Sequence, residues 1–221
     1  MQSFKFLNQE ELSLIRQKFT EFIWEDGKNT AKGLAREIKN NRQVSSNSQA
    51  MQPVIGIFTR EIFASPIKDY VFPKNLISIR ANSYSKGESY DWHVDSAHLD
   101  QKRTDISFTL FISDPDDYDG GELELNDKGR LISVKLDAGS IFFYSTGMLH
   151  RVKEIRHGTR HCIVGWVESL VPEDLSREIL ADFRSVVIEI QSALVKDMAP
   201  ARQVYDKASQ IYAQLVRTLS R

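Results

Sequence analysis

Apolar residues recur along this chain in three rhythms. Leu12, Ile15 and Phe19 stand at helical spacing behind Asn8 and Glu11, a pair three apart that can cap a helix start reciprocally, so a helix is expected over about residues 8–20. Residues 43–50 read as a polar loop, and 51–63 as a second helix. Between 76 and 170 the texture changes to short β-rich runs, at 77–80, 106–113, 122–125, 140–144 and 161–167, separated by turn formers such as Asp119-Gly120-Gly121 and Asp137-Ala138-Gly139. Past Pro172 the helical period returns. Leu175, Ile179, Phe183, Val186, Val187, Ile190 and Leu194 form one stripe, ended by Pro200, and Val204, Ala208, Ile211, Leu215 and Leu219 form another.

This succession predicts a mainly β protein with flanking helices, of α+β class. Its core is an antiparallel barrel or jelly roll. Three segments follow: 1–75, an N-terminal helical and loop region packed on the core; 76–170, the β core; and 171–221, a C-terminal helical extension. Stripes of the C-terminal kind pack on a core or on a partner, which makes a homodimer an expectation.

Composition narrows the chemistry. A chain of 221 residues can close a real core without a disulfide or a structural metal. Its 29 Lys and Arg against 30 Asp and Glu leave a formal charge of -1, so nucleic acid is not an expected partner. No secretory apolar run opens the chain and no 18 consecutive apolar residues occur, which predicts a cytoplasmic chain away from membranes. With Cys162 as the only cysteine, thiolate-rich zinc or iron–sulfur sites are excluded, and any metal must use histidine and carboxylate.

The stretch Tyr90-Asp-Trp-His-Val-Asp95 holds that combination. On an extended segment His93 and Asp95 leave the same face and can converge on one ion. A bare His-x-Asp is common by chance and needs a third ligand. Of the five histidines, at 93, 98, 150, 157 and 161, His150 stands at the start of a short strand far along the chain, able to lie beside the first pair. Two histidines and a carboxylate leave coordination positions open, the arrangement of non-haem Fe(II) oxygenases, whereas zinc more often takes three ligands plus water or a closed shell. Arg160 opens an otherwise apolar strand ten residues on. Across a hairpin it would face the metal histidine and could take a carboxylate bidentately; the plainer alternative is a surface arginine, as for Arg151 and Arg156. His98 falls in a polar loop, at the rim or in solvent, and His161 alternates away from Arg160. Trp92 alternates away from His93 and is expected in the core. Cys162 reads as a small core residue, and Asp105 as an acceptor that orients a metal ligand or as a turn former.

The chain resembles the bacterial PKHD-type hydroxylases, relatives of the prolyl 4-hydroxylase group of Fe(II)/2-oxoglutarate oxygenases. The resemblance rests on Trp24-Glu-Asp-Gly27, Lys39-Asn-Asn41, Tyr90-Asp-Trp-His-Val-Asp95, Arg103-Thr-Asp105, Leu110-Phe-Ile-Ser-Asp-Pro115, Tyr118-Asp-Gly-Gly-Glu-Leu123, His150 and Arg160. It implies a double-stranded β-helix core, iron on His93, Asp95 and His150, 2-oxoglutarate on Arg160, O2 as oxidant and L-ascorbate as supporting reductant. Tyr84, on the preceding strand, could donate to the co-substrate, or be a core or rim tyrosine. The implied reaction hydroxylates an unactivated C–H bond of a small-molecule or peptidyl substrate, with decarboxylation of 2-oxoglutarate to succinate and CO2. Asp95 fills the position a halide ligand would need, which favours hydroxylation over halogenation. Two rivals use the same residues. One is a non-catalytic iron and 2-oxoglutarate sensor; the other is a cupin-like hydrolytic metalloenzyme insensitive to 2-oxoglutarate.

Overall fold

The computed structural model describes residues 1–30, 33–194 and 199–221. Two compact units emerge, one of residues 1–61 and 75–168, the other of 62–74 and 169–221.

In the first unit, helix α1 (Gln9–Glu21) begins where the sequence predicts. The Asn8 side chain accepts from the Glu11 amide at 2.9 Å and the Glu11 carboxylate accepts from the Asn8 amide at 3.0 Å. The expected second helix is α2 (Gln52–Ala64). The polar loop starts later than expected, because Gln43 and Val44 are buried in strand β2 (Arg42–Val44), which pairs with the long strand β3 (Pro73–Ser85).

Further strands are β4 (Ser89–His93), β5 (Ile106–Phe111), β6 (Leu123–Asp127), β7 (Arg130–Val134), β8 (Ser140–Ser145), β9 (Leu149–Val152) and β10 (Ile155–Ser169). A strand that the pattern did not announce, Gln2–Lys5, pairs with β8 at one edge. The large sheet runs Gln2–Lys5, β8, β5, β10, β3, β2, Glu25–Asp26, and the small one β7, β6, β9, β4, Lys39–Asn40. All registers within them are antiparallel.

Period-two alternation decides what lies between the sheets. Phe111, Leu123, Leu125, Val134, Phe142 and Tyr144 make one apolar cluster there, and Tyr84, Tyr118, Val152, Ile155 and Cys162 another. Strand β5 is buried along its whole length because its second face is also covered: Phe58 of α2 stacks on Phe108 with ring centroids 4.5 Å apart. Its apolar residues Ile106, Phe108 and Leu110 alternate with the buried polar residues Ser107 and Thr109, and Ser107 donates to Asp95.

The second unit contains the C-terminal helices α3 (Asp174–Leu194) and α4 (Ala199–Leu219). Its core is Phe72, Val171 and Leu180, with Tyr212, Leu215, Val216 and Leu219 against it. The stripe expected on α3 is displaced. Leu180 and Val187 are buried, while Leu175, Ile179 and Val186 are exposed, because α3 is apolar over an arc wider than the one α4 covers. No described helix is long and apolar enough to cross a membrane.

Candidate functional site

Strands β4 and β9 lie side by side in the small sheet with His93 directly opposite His150, which is how two histidines far apart in sequence meet. Strand β4 ends at His93, so Asp95 reaches the same point from just beyond the strand rather than from within it. Both rings are oriented by their own backbone. Nδ1 of His93 lies 2.7 Å from the Asp91 carbonyl and Nδ1 of His150 lies 2.9 Å from the Met148 carbonyl. With Nδ1–H donating, each Nε2 lone pair is left pointing at the common centre, the role an outer hydrogen bond plays for a metal histidine.

The Nε2 atoms stand 3.8 Å and 3.7 Å from the two Asp95 oxygens, and one ligand atom from each of the three residues falls within 4.8 Å of the others. Asp95 is oriented in turn from the large sheet, where the Ser107 hydroxyl and the Trp166 indole N–H each donate to Oδ2 at 2.9 Å. Burial, then the charge on His150, pushes His93 down to about 4, with Asp95 opposing, so its ring is neutral and its lone pair free at neutral pH. Such a set, two imidazoles and one fixed carboxylate, fits one divalent ion with positions to spare.

Arg160 does not face the histidines across a hairpin. It sits on β10 in the opposite sheet and looks across the interior, because Arg160, Cys162, Val164 and Trp166 share the inward face of that strand. It is 1% exposed. Its guanidinium lies over the Tyr84 ring at 5.4 Å and the Phe111 ring at 5.3 Å, and Nη1 donates to Cys162 Sγ at 2.9 Å. Nε and Nη2 are buried without an acceptor. A cation this deep with two idle donors matches a bidentate carboxylate. Gly121 makes room for it: its φ is +66°, and a Cβ there would come within 3.1 Å of Arg160 Cδ and 2.3 Å of Ile155 Cδ1.

One cavity joins these parts, lined by His93, Asp95 and His150 at one side and Tyr84, Tyr144 and Arg160 at another. Tyr84 is 2% exposed, and burial pushes its phenol far up while the Arg160 charge opposes. His98 is exposed at the cavity rim. His161 faces away, stacked on Trp24 at 5.8 Å. Asp105 pairs with Arg103 at 3.2 Å and is not part of the lining. Trp92 is half-exposed rather than core, carrying Arg151 over its ring at 4.7 Å, because its face of β4 is turned outward. Sequence reasoning missed Ser107 and Trp166. The alternation of β10 puts Trp166 in phase with Arg160, and that signal was available.

Residues 79–168 match the 2OG-Fe(II) oxygenase superfamily. Among solved structures, the fold is shared with a Pseudomonas putida prolyl-4-hydroxylase (TM-score 0.56, 17% identity, 76% of this chain and 91% of that one). It is shared also with a Trichoplax adhaerens prolyl hydroxylase in complex with a hypoxia inducible factor peptide fragment (TM-score 0.60, 11% identity, 76% and 83%). A PKHD-type hydroxylase of Synechococcus sp. strain JA-2-3B'a(2-13) is 38% identical over 218 residues, covering 95% of this chain and 92% of the relative. One of Hyphomonas neptunium is 32% identical over 219 residues, covering 97% and 96%. End-to-end similarity at this level, over a jelly-roll core with converging His, Asp and His, places the chain in the PKHD-type hydroxylase family of 2-oxoglutarate-dependent Fe(II) dioxygenases.

Proposed function

We propose that this dioxygenase holds Fe(II) on His93, Asp95 and His150 and anchors the distal carboxylate of 2-oxoglutarate on Arg160, beside Tyr84. The observation that carries the second assignment is the buried Arg160 guanidinium with Nε and Nη2 unpartnered. When bound, iron and 2-oxoglutarate would let O2 hydroxylate an unactivated C–H bond, one oxygen atom entering the substrate and the other the succinate formed as 2-oxoglutarate loses CO2. The chain's own residues do the rest. The carbonyls of Asp91 and Met148 hold the imidazole tautomers, Ser107 and Trp166 fix the carboxylate, and Tyr144 and Leu123 help line the cavity and keep water out.

Ascorbate would serve as the supporting reductant. The enzyme acts in the cytoplasm, with residues 76–170 as its catalytic segment and a small-molecule or peptidyl substrate. The exposed Leu175, Ile179 and Val186 supply a homodimer contact.

The test is succinate formation by purified protein with Fe(II), ascorbate, O2 and 2-oxoglutarate, next to H93A and R160A. Iron-dependent succinate that disappears in both variants supports the assignment. Iron-dependent succinate that survives in either one overturns that residue's role.

A further inference from the structure

Two cations line the cavity outside the metal and Arg160 positions. Lys39, on the short strand beside β4, is 7% exposed, and its Nζ donates to Gln43 Oε1 at 3.1 Å and Thr30 Oγ1 at 3.2 Å, both neutral. Arg80, half-buried on β3, donates through Nε to Ser78 Oγ at 2.9 Å, again neutral. Neither forms an ion pair among the described residues. Asp95, Asp26 and Asp100 act on them only from beyond ion-pair distance.

Their placement about the metal centre is alike on two sides. Lys39 Nζ stands 5.3 Å over the Tyr90 ring, and that ring stacks on His93 with centroids 3.5 Å apart. The Arg80 guanidinium stands 5.6 Å over the Trp166 ring, whose N–H holds Asp95. Each cation is therefore one aromatic ring away from a different proposed iron ligand, and both border the same cavity.

The charges do not balance from within. A divalent ion and the Arg160 guanidinium are neutralised by Asp95 and the two carboxylates of 2-oxoglutarate, so a loaded centre offers Lys39 and Arg80 no counter-charge. Burying an ammonium with neutral partners alone is costly. Burial, and next the Arg80 charge, hold Lys39 down to about 8. It stays charged at neutral pH, and an anion would relieve what the fold leaves uncompensated.

We infer that the substrate of this enzyme carries an oxyanion, a carboxylate or a phosphate, that Lys39 and Arg80 hold beside the metal centre. The inference rests on the proposed iron and 2-oxoglutarate sites. The C–H bond attacked would then lie within a few atoms of that anion, and neutral or cationic analogues of the substrate would be rejected, because they leave both cations desolvated and unpaired.

Manganese(II) in the iron position gives a readout that needs no turnover. With 2-oxoglutarate saturating, inorganic phosphate is followed by 31P relaxation and acetate by methyl-proton relaxation, in wild type, in the K39Q/R80Q double variant and in K39R/R80K. The expected result is saturable, Mn(II)-dependent relaxation of at least one anion in wild type, about tenfold or more weaker binding in K39Q/R80Q, and recovery in K39R/R80K. Which anion responds identifies its class. Wild type that binds Mn(II) and 2-oxoglutarate but relaxes neither anion overturns the inference, as does relaxation undiminished in K39Q/R80Q. Failure of wild type to bind 2-oxoglutarate, read from water-proton relaxation, would instead sink the reading of the metal centre and this inference with it.

Discussion

Trp166 gives one hydrogen bond to Asp95, a proposed iron ligand. Its indole N–H and the Ser107 hydroxyl share Asp95 Oδ2, so removing either would leave the carboxylate less firmly oriented. W166F keeps a ring beneath Arg80 and deletes only the donor, so Fe(II) affinity is expected to fall about tenfold in a chelator competition, with little change in folding. Unchanged affinity would mean that Ser107 alone suffices. His161 bears on stability instead. Burial, reinforced by Arg42, holds its imidazole down to about 4. The unfolded chain takes up that proton first, near pH 6.5, so stability is complete above 6.5 and is lost as the pH falls from there toward 4. Partial exposure limits the loss to roughly 2 kcal/mol. H161F, which preserves the stack on Trp24, should remove most of this loss when urea unfolding at pH 7 and pH 5 is compared with wild type; an identical pH slope would refute the assignment.

At the scale of elements, two short signals carry more than their length suggests. The Asn8 and Glu11 pair closes the start of α1 in both directions, and N8A is expected to cost about 1 kcal/mol in urea unfolding. Gly121 sits between the strand Tyr118–Gly120 and β6 at positive φ, with Ile155 Cδ1 2.3 Å and Arg160 Cδ 3.1 Å from where a Cβ would be. G121A should cost about 1–2 kcal/mol from φ alone. It should also weaken 2-oxoglutarate binding by displacing Arg160, whereas a variant losing stability but keeping full affinity would limit Gly121 to the turn. Strand β10 shows why period matters more than composition. One alternating run supplies Arg160, Val164 and Trp166 to the cavity and, half a period away, His161 to a separate aromatic cluster.

Across the whole molecule, the site exists because two sheets face each other, one bringing His93 and His150 and the other Arg160 and the groups that orient Asp95. Keeping a cation with idle donors between them costs stability. R160M should therefore raise the unfolding free energy of the metal-free protein by about 1–2 kcal/mol while weakening 2-oxoglutarate binding at least about 100-fold. Denaturant unfolding and a 2-oxoglutarate titration check both halves, and a destabilised R160M would show that Arg160 is structurally satisfied after all. Much of this was legible in the chain: β-rich runs bounded by turns, helices before and after them, and a His-x-Asp whose spacing aims two ligands one way. Those features depend on local chemistry, on the pleat of a strand, the turn of a helix and the coordination habits of imidazole and carboxylate. What the chain alone left open are relations between distant segments: the pairing of His93 with His150, the approach of Arg160 from the opposite sheet rather than a hairpin, the exposure of Trp92 and of half the α3 stripe, and the meeting of Lys39 and Arg80 in one cavity. Local sequence determines which face of a strand or helix a side chain occupies, but what that face meets depends on strand order and sheet packing, which arise only when the whole core closes.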